Sequence, residues 1–217
     1  AVPRVTYLDA DVWFRKNPEP IFREFDISNK HVLITDHAYA PEYDQSAISG
    51  QYCVQFVTFT RVGGEKVRKW WEDRCVEWCY NRSEDGKFGD QKYLDDWPKI
   101  FEDSVHVLNS QEWTQAPWNA TRYPYSQSII YHFHGLKISK ERQIDFGSTY
   151  RLPDTLIENV YEHYASDLVN AIKFLEENEF NIISQMKKIS KLSLFIRYAK
   201  GLYRHSKQFQ SLNCKKY

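Results

Sequence analysis

Cysteine is scarce and poorly spaced for a framework: Cys53, Cys75, Cys79 and Cys214 are the whole supply in 217 residues. Disulfide-stapled secreted folds carry denser sets, and no two pairs here have zinc-ligand spacing. Cys75 and Cys79 read as two small core residues on one helix face, whose apolar stripe also takes Val67, Trp71 and Trp78. Reduced thiols in a cytoplasmic protein are the expectation. No secretion signal is expected either, since no charged stretch leads into an apolar one in the first residues of this sequence. The patterns Asn81-Arg-Ser and Asn119-Ala-Thr match the glycosylation acceptor but are too common to argue for export. No apolar run reaches the roughly 18 residues that span a bilayer. The single methionine is Met186. The chain opens inside a strand-like run, as a fragment or processed chain would.

Acidic residues are absent from one end. Residues 181–217 hold nine Lys or Arg and no Asp or Glu, which leaves 20 basic against 29 acidic residues, a charge of −9, in residues 1–180. The formal net charge of zero therefore joins two regions of opposite sign. The tail places Lys187, Lys188, Lys191, Arg197, Lys200, Arg204 and Lys207 among Ile, Leu, Phe and Tyr, the composition of an interfacial helix at an anionic membrane surface. A basic face packed on the acidic remainder is the competing reading. Nucleic acid is not expected as a partner, because no recognition motif accompanies the charge.

What is present is ample for a core: 42% hydrophobic residues, with 7 Trp, 15 Tyr and 13 Phe. One domain, or one domain with an appendage, follows from the length. Residues 3–8 read as a buried strand, and Pro18-Glu-Pro20 breaks the chain before a short helix at 21–25. Strands are expected at 31–35, at 52–60 as a central strand, at 104–108, and at 127–134 up to Gly135. Gly63-Gly64 turns into a helix over 65–80. A short helix at 90–97 ends before Pro98, and residues 40–50 and 116–119 are loops. After Pro153, Leu156, Val160, Tyr164, Leu168, Ile172 and Leu175 mark one long amphipathic helix, and the tail from Ile182 reads as mostly helical. The alternation gives an α/β core over 1–150 and a helical, basic C-terminal extension over 151–217.

Three segments concentrate polar chemistry. Asp9-Ala10-Asp11 ends a strand-like run, and in extended backbone alternate side chains share a face, so both carboxylates converge on one hard cation. Asp90-Gln91 opens a short helix, where Asp is also a favoured N-cap. His132 and His134 share a strand face, with Gly135 and Lys137 following. Ligands of α/β sheets gather beyond the carboxyl ends of strands, so one cleft can receive these groups. Two carboxylates and an imidazole suit Mn²⁺ or Mg²⁺ bridging a diphosphate. Trp118 and Asn119, in Ala-Pro-Trp-Asn, offer an edge for stacking a sugar acceptor; core packing is the equal alternative for Trp118.

In this order, Asp-x-Asp after an apolar strand, Gly-Asp-Gln-Lys-Tyr-Leu-Asp, and Tyr-His-Phe-His-Gly-Leu-Lys resemble the nucleotide-sugar glycosyltransferases of the GT-A fold. The pattern is that of glycogenin-like and lipopolysaccharide galactosyltransferase-like enzymes, over roughly residues 4–138. The resemblance implies a mixed sheet flanked by helices, here the C-terminal portion of that fold. It implies a metal held by Asp9, Asp11 and His132, and Lys137 on the diphosphate after Gly135. Asp90 and Gln91 would lie beside the transferred sugar, with His134 supporting the metal site or facing the acceptor. The implied reaction is metal-dependent transfer of a hexose, from UDP-hexose or a similar donor, to a glycan or lipid-linked acceptor. Retention of configuration is the family's lean; the basic tail, read as an interfacial helix, adds the expectation of a cytoplasmic protein peripheral at the inner membrane face.

The chain departs from the family at Cys53-Val54-Gln55, where Asn-Ala-Gly or Asn-Val-Gly is usual. Lys137 stands two residues after Gly135 where the family's lysine often stands three after. The family also builds its nucleoside pocket before Asp-x-Asp, and only eight residues precede Asp9 here. A non-catalytic carbohydrate- or membrane-binding remnant is therefore the rival expectation. A phosphohydrolase using Asp9 as nucleophile is disfavoured, because the lysine and second acidic motif of that class are not recognisable.

Overall fold

A computed structural model describes residues 2–139, 143–147, 149–180 and 214–216. It is a mixed α/β structure whose sheets carry both parallel and antiparallel pairs and are flanked by helices. Two compact units are separable, residues 1–132 and 133–217. The composition break near residue 150 falls inside the second.

The first unit is built on a four-stranded sheet in the order β1 (Arg4–Leu8), β4 (Tyr52–Thr60), β3 (Val32–Asp36), β5 (Val105–Val107). β4 lies antiparallel to both neighbours, and β3 pairs with β5 in parallel. The apolar, β-branched run of β4 is buried from Cys53 to Thr58, which is what a strand covered on both faces requires. One face packs Val32, Ile34, Val54 and Val57 against Val67, Leu94 and Trp97. Val67 belongs to α3 (Glu65–Glu77), and Trp97 opens α4 (Trp97–Ile100). The other face packs Leu33 and Phe56 against Ile21 and Phe25 of α1 (Glu19–Ser28). Each fully buried side chain of this size contributes about 1.5–3 kcal/mol.

The β3–β4 ladder breaks between Leu33↔Thr58 and Thr35↔Cys53, so residues 54–57 of β4 oppose the single residue Ile34. A regular strand would send Val54 and Val57 to opposite faces. Here both join the same cluster, and the bulge turns Gln55 and Phe56 away from it. Gly63, at φ +93°, lies where a Cβ would stand 2.3 Å from the His31 ring, which fixes glycine at the turn before α3.

A second sheet of the same unit has the order β2 (Val12–Phe14), β7 (Ile130–His132), β6 (Thr114–Gln115). β2 and β7 are antiparallel, with Val12 opposite His132. A short helix, α2 (Ser46–Ser49), and a 3₁₀ turn at Pro41–Tyr43 interrupt the expected loop before β4.

Several sequence expectations change. β1 is not buried: it is an edge strand, and Val5, Tyr7 and Leu8 are exposed. Pro98 does not follow a helix end but sits in the first turn of α4, where a missing N–H has no intrahelical partner to lose. The expected strand at 127–134 shrinks to Ile130–His132, because Tyr125–Gln127 forms a 3₁₀ turn and Leu136 N–H closes a turn on Phe133 O at 3.0 Å. Helix α3 stops at Glu77, Trp78 is extended, and Cys79 is exposed rather than part of a core stripe.

The second unit holds a three-stranded sheet ordered β10 (Cys214–Lys216), β9 (Gln143–Asp145), β8 (Lys137–Ile138). Its amphipathic helix runs as α5 (Asp154–Leu156), a π turn at Ile157–Tyr161, and α6 (Glu162–Glu177). Phe133 stacks on Tyr164 with ring centroids 3.7 Å apart, and Phe146 packs on Tyr161. The tail read as mostly helical from Ile182 lies outside the described residues, apart from β10. Among the described residues, no helix is long and apolar enough to cross a membrane.

Candidate metal centre

The Asp9-Ala10-Asp11 segment is a turn, not extended strand. β1 ends at Leu8, paired with Phe56, and the Asp9 N–H donates to Gln55 O at 3.3 Å. The Val12 N–H then returns to Asp9 O at 3.3 Å and starts β2 in the other sheet. Strand alternation therefore does not bring the two carboxylates together. They converge because the chain crosses between sheets at this point, and because β2–β7 pairing sets His132 opposite Val12, next to Asp11.

His132 Nε2 stands 3.1 Å from Asp11 Oδ1 and 3.9 Å from Asp9 Oδ2. One ligand atom from each of the three residues lies within 4.8 Å of the others. Ligands around a small octahedral cation at about 2.1 Å are separated by roughly 3–4 Å, so the spacing fits. Two carboxylate oxygens and one imidazole nitrogen, without a thiolate, are a donor set for Mn²⁺ or Mg²⁺ rather than structural zinc. The residues present thus fit the cation that the sequence pattern implies.

The imidazole is held on three sides. His132 is 5% exposed, its Nδ1 meets Gln55 Oε1 at 2.9 Å, and the Trp118 indole stands edge-on at 5.2 Å. The Tyr7 hydroxyl donates to Asp9 Oδ1 at 3.0 Å. Partial burial, the charge and hydrogen bond of Asp9, and the charges of Asp90 and Asp11 push the Tyr7 phenol up to about 12. Asp90 belongs to this acidic neighbourhood: burial first, and then the Asp9 charge, raise its pKa from the ordinary value. It sits at the N-cap position of the 3₁₀ turn Gln91–Asp96 but makes no side-chain capping bond there. Its carbonyl accepts the Trp71 indole N–H at 2.9 Å, which ties it to α3. Gln91 is half-buried at the first position of that turn.

Trp118 and Asn119 offer an acceptor edge by sequence, with core packing the equal alternative for Trp118; the structure buries both, as that alternative requires. Asn119 is fully buried; its Oδ1 accepts the Ala116 N–H at 2.9 Å and its amide donates to His37 O at 3.0 Å. Trp118 donates its indole N–H to the same His37 carbonyl at 2.8 Å. Their polar atoms are occupied in bracing the loop behind His132. His37, 3% exposed, stacks on Tyr39 at 4.7 Å, and burial lowers its pKa to about 4.

His134, Gly135 and Lys137 belong to the second unit. His134 and Lys137 are exposed; the His134 ring lies 6.3 Å from Tyr150, and Lys137 opens β8 opposite Asp145. Gly135 takes φ +82° in the turn before β8.

Tyr7 and Gln55 are the participants that sequence reasoning left out. Tyr7 precedes Asp9 by two, and a glutamine inside a buried apolar strand needs a partner. Both signals were readable.

No family model matches the chain. Two uncharacterized proteins of Bacillus subtilis (strain 168) are similar to it, each at 29% identity: YfnF over 82% of this chain and 64% of its own length, and YfnD over 79% and 58%. Among solved structures, the apo form of mouse xyloside xylosyltransferase 1 matches over 62% of this chain and 58% of that one, with a TM-score of 0.36 and 17% identity. The chain spans less than two thirds of the length of the two curated relatives.

Proposed function

We propose that this chain carries the cation- and sugar-facing part of a glycosyltransferase, which moves a hexose from a nucleoside-diphosphate sugar to a glycan or lipid-linked acceptor. One observation carries the reading: Asp9, Asp11 and His132, drawn from two distant stretches of sequence, meet with the spacing of a divalent-cation site. The order of the three sequence motifs supports it independently. When bound, the cation supplies neutralisation of the charge that builds on a departing diphosphate. Asp9, Asp11 and His132 hold that centre, with Tyr7 orienting Asp9 through its hydroxyl. The raised pKa of Asp90 suits a carboxyl that hydrogen-bonds sugar hydroxyls in a partly desolvated position, and Gln91 sits beside it. The sequence pattern alone assigns Lys137 to phosphate and His134 to the support of the metal ligands or to the acceptor side.

The test is release of UDP from UDP-hexoses in the presence of Mn²⁺, using the full-length protein. Release that disappears in Asp9→Ala and Asp11→Ala is the expected result. Absence of release, together with calorimetry showing that neither Mn²⁺ nor UDP binds, overturns the enzyme reading in favour of a non-catalytic remnant.

A further inference from the structure

We propose that Gln55 is a positioning residue that fixes the tautomer of His132, keeping the proton on Nδ1 and turning the Nε2 lone pair toward Asp9 and Asp11. This rests on the reading of those three residues as a cation site. The polarity is set two bonds away from the imidazole. Thr35 Oγ1 donates to Cys53 O at 3.4 Å, so its oxygen is left to accept. It accepts from Gln55 Nε2 at 3.5 Å, which assigns the NH₂ end of the amide to Thr35 and the carbonyl end to His132. Gln55 Oε1 can only accept, so at 2.9 Å the proton of that bond belongs to His132 Nδ1. Nε2, 3.1 Å from Asp11, is then the nitrogen left to hold a cation.

Gln55 and Thr35 are both fully buried, so no solvent competes for these bonds. The backbone reinforces the arrangement. Gln55 lies just beyond the last β1–β4 pair, Leu8↔Phe56, and within the stretch where β4 bulges against β3. Its carbonyl also accepts the Asp9 N–H at 3.3 Å. One residue thus fixes a carboxylate ligand through its main chain and the imidazole ligand through its side chain. The edge-on Trp118 ring limits rotation of the imidazole. Partners of this kind typically contribute about 10–100-fold to metal affinity.

Mn²⁺ affinity measured by electron paramagnetic resonance on the full chain tests the proposal. Gln55→Leu removes the acceptor and should weaken binding by about 10–100-fold. Gln55→Glu retains an acceptor oxygen and should stay within a few-fold of the parent. The Asp9→Ala chain reports on the site itself. Binding that Asp9→Ala abolishes and Gln55→Leu leaves unchanged overturns the role of Gln55 alone; no Mn²⁺ binding by the parent chain overturns the cation site and the proposal with it. A readout on the unmutated chain guards against misfolding: ¹⁵N-histidine NMR with Mg²⁺ bound should find the His132 proton on Nδ1. An unprotonated Nδ1 overturns the assignment.

Discussion

His37 should make the protein lose stability in mild acid, by an amount the structure sets. Its ring is 3% exposed, and burial lowers its pKa from 6.5 to about 4, against the pull of the hydrogen bond to Gln51 O at 3.1 Å. In the unfolded chain the ring takes up a proton near pH 6.5, whereas in the folded chain it does so only near pH 4. The neutral ring's contribution is therefore complete above about pH 6.5, is lost as pH falls toward 4, and does not change below that. The drop in pKa corresponds to about 3 kcal/mol. Asn at position 37 keeps a donor for Gln51 O, does not titrate, and gives up the stacking on Tyr39 and the edge of Trp118. Urea unfolding of the parent and His37→Asn chains from pH 7.5 to 4 separates these effects. The parent should lead at pH 7.5, and the gap should narrow by about 3 kcal/mol by pH 4, the carboxylates being common to both chains. Parallel stability curves across that window would refute the reasoning.

Asn119→Ala should cost about 1–3 kcal/mol in urea unfolding, because it strands the Ala116 N–H and removes a donor to His37 O; an acceptor KM unchanged in active enzyme would separate bracing from sugar contact. Phe56→Ala, in the core against α1, should cost about 3–5 kcal/mol by the same measurement. Neutralising Lys187, Lys188 and Lys191 to Gln should weaken cosedimentation with anionic vesicles at low salt by about 100-fold, at about 1 kcal/mol per charge. Vesicle binding that is unaffected by those changes would remove the tail from the membrane reading.

Parts of this molecule were legible because local pattern and tertiary demand agree. The run Tyr52–Thr60 is apolar, β-branched and aromatic, and it is the strand buried on both faces. Asp9, Asp11 and His132 were expected to meet, and the structure brings them together. Strand alternation is not what joins them: the acidic pair lies in a turn between two sheets. Pairing of β2 with β7 is a long-range choice that no local period announces. The β4 bulge is likewise invisible in a run of residues that all suit a strand. β1 looked buried because Val5, Tyr7 and Leu8 are apolar, yet hydropathy does not say whether a strand has a neighbour on each side. Asn119 looks like a ligand-facing residue in a loop and Trp118 equally like a core residue, and only the carbonyl of His37 reveals what both brace.

The extra residues that β4 carries opposite Ile34 have a consequence for anyone who edits this gene. Deleting one residue between Val54 and Val57 would cut the excess opposite Ile34 from three residues to two. It would also rotate the amide of position 55 into hydrocarbon and slide the main-chain tether of Asp9 by one step. The centre is therefore encoded by strand length as well as by side-chain identity, and a shortened variant could fold well while losing its hold on an ion.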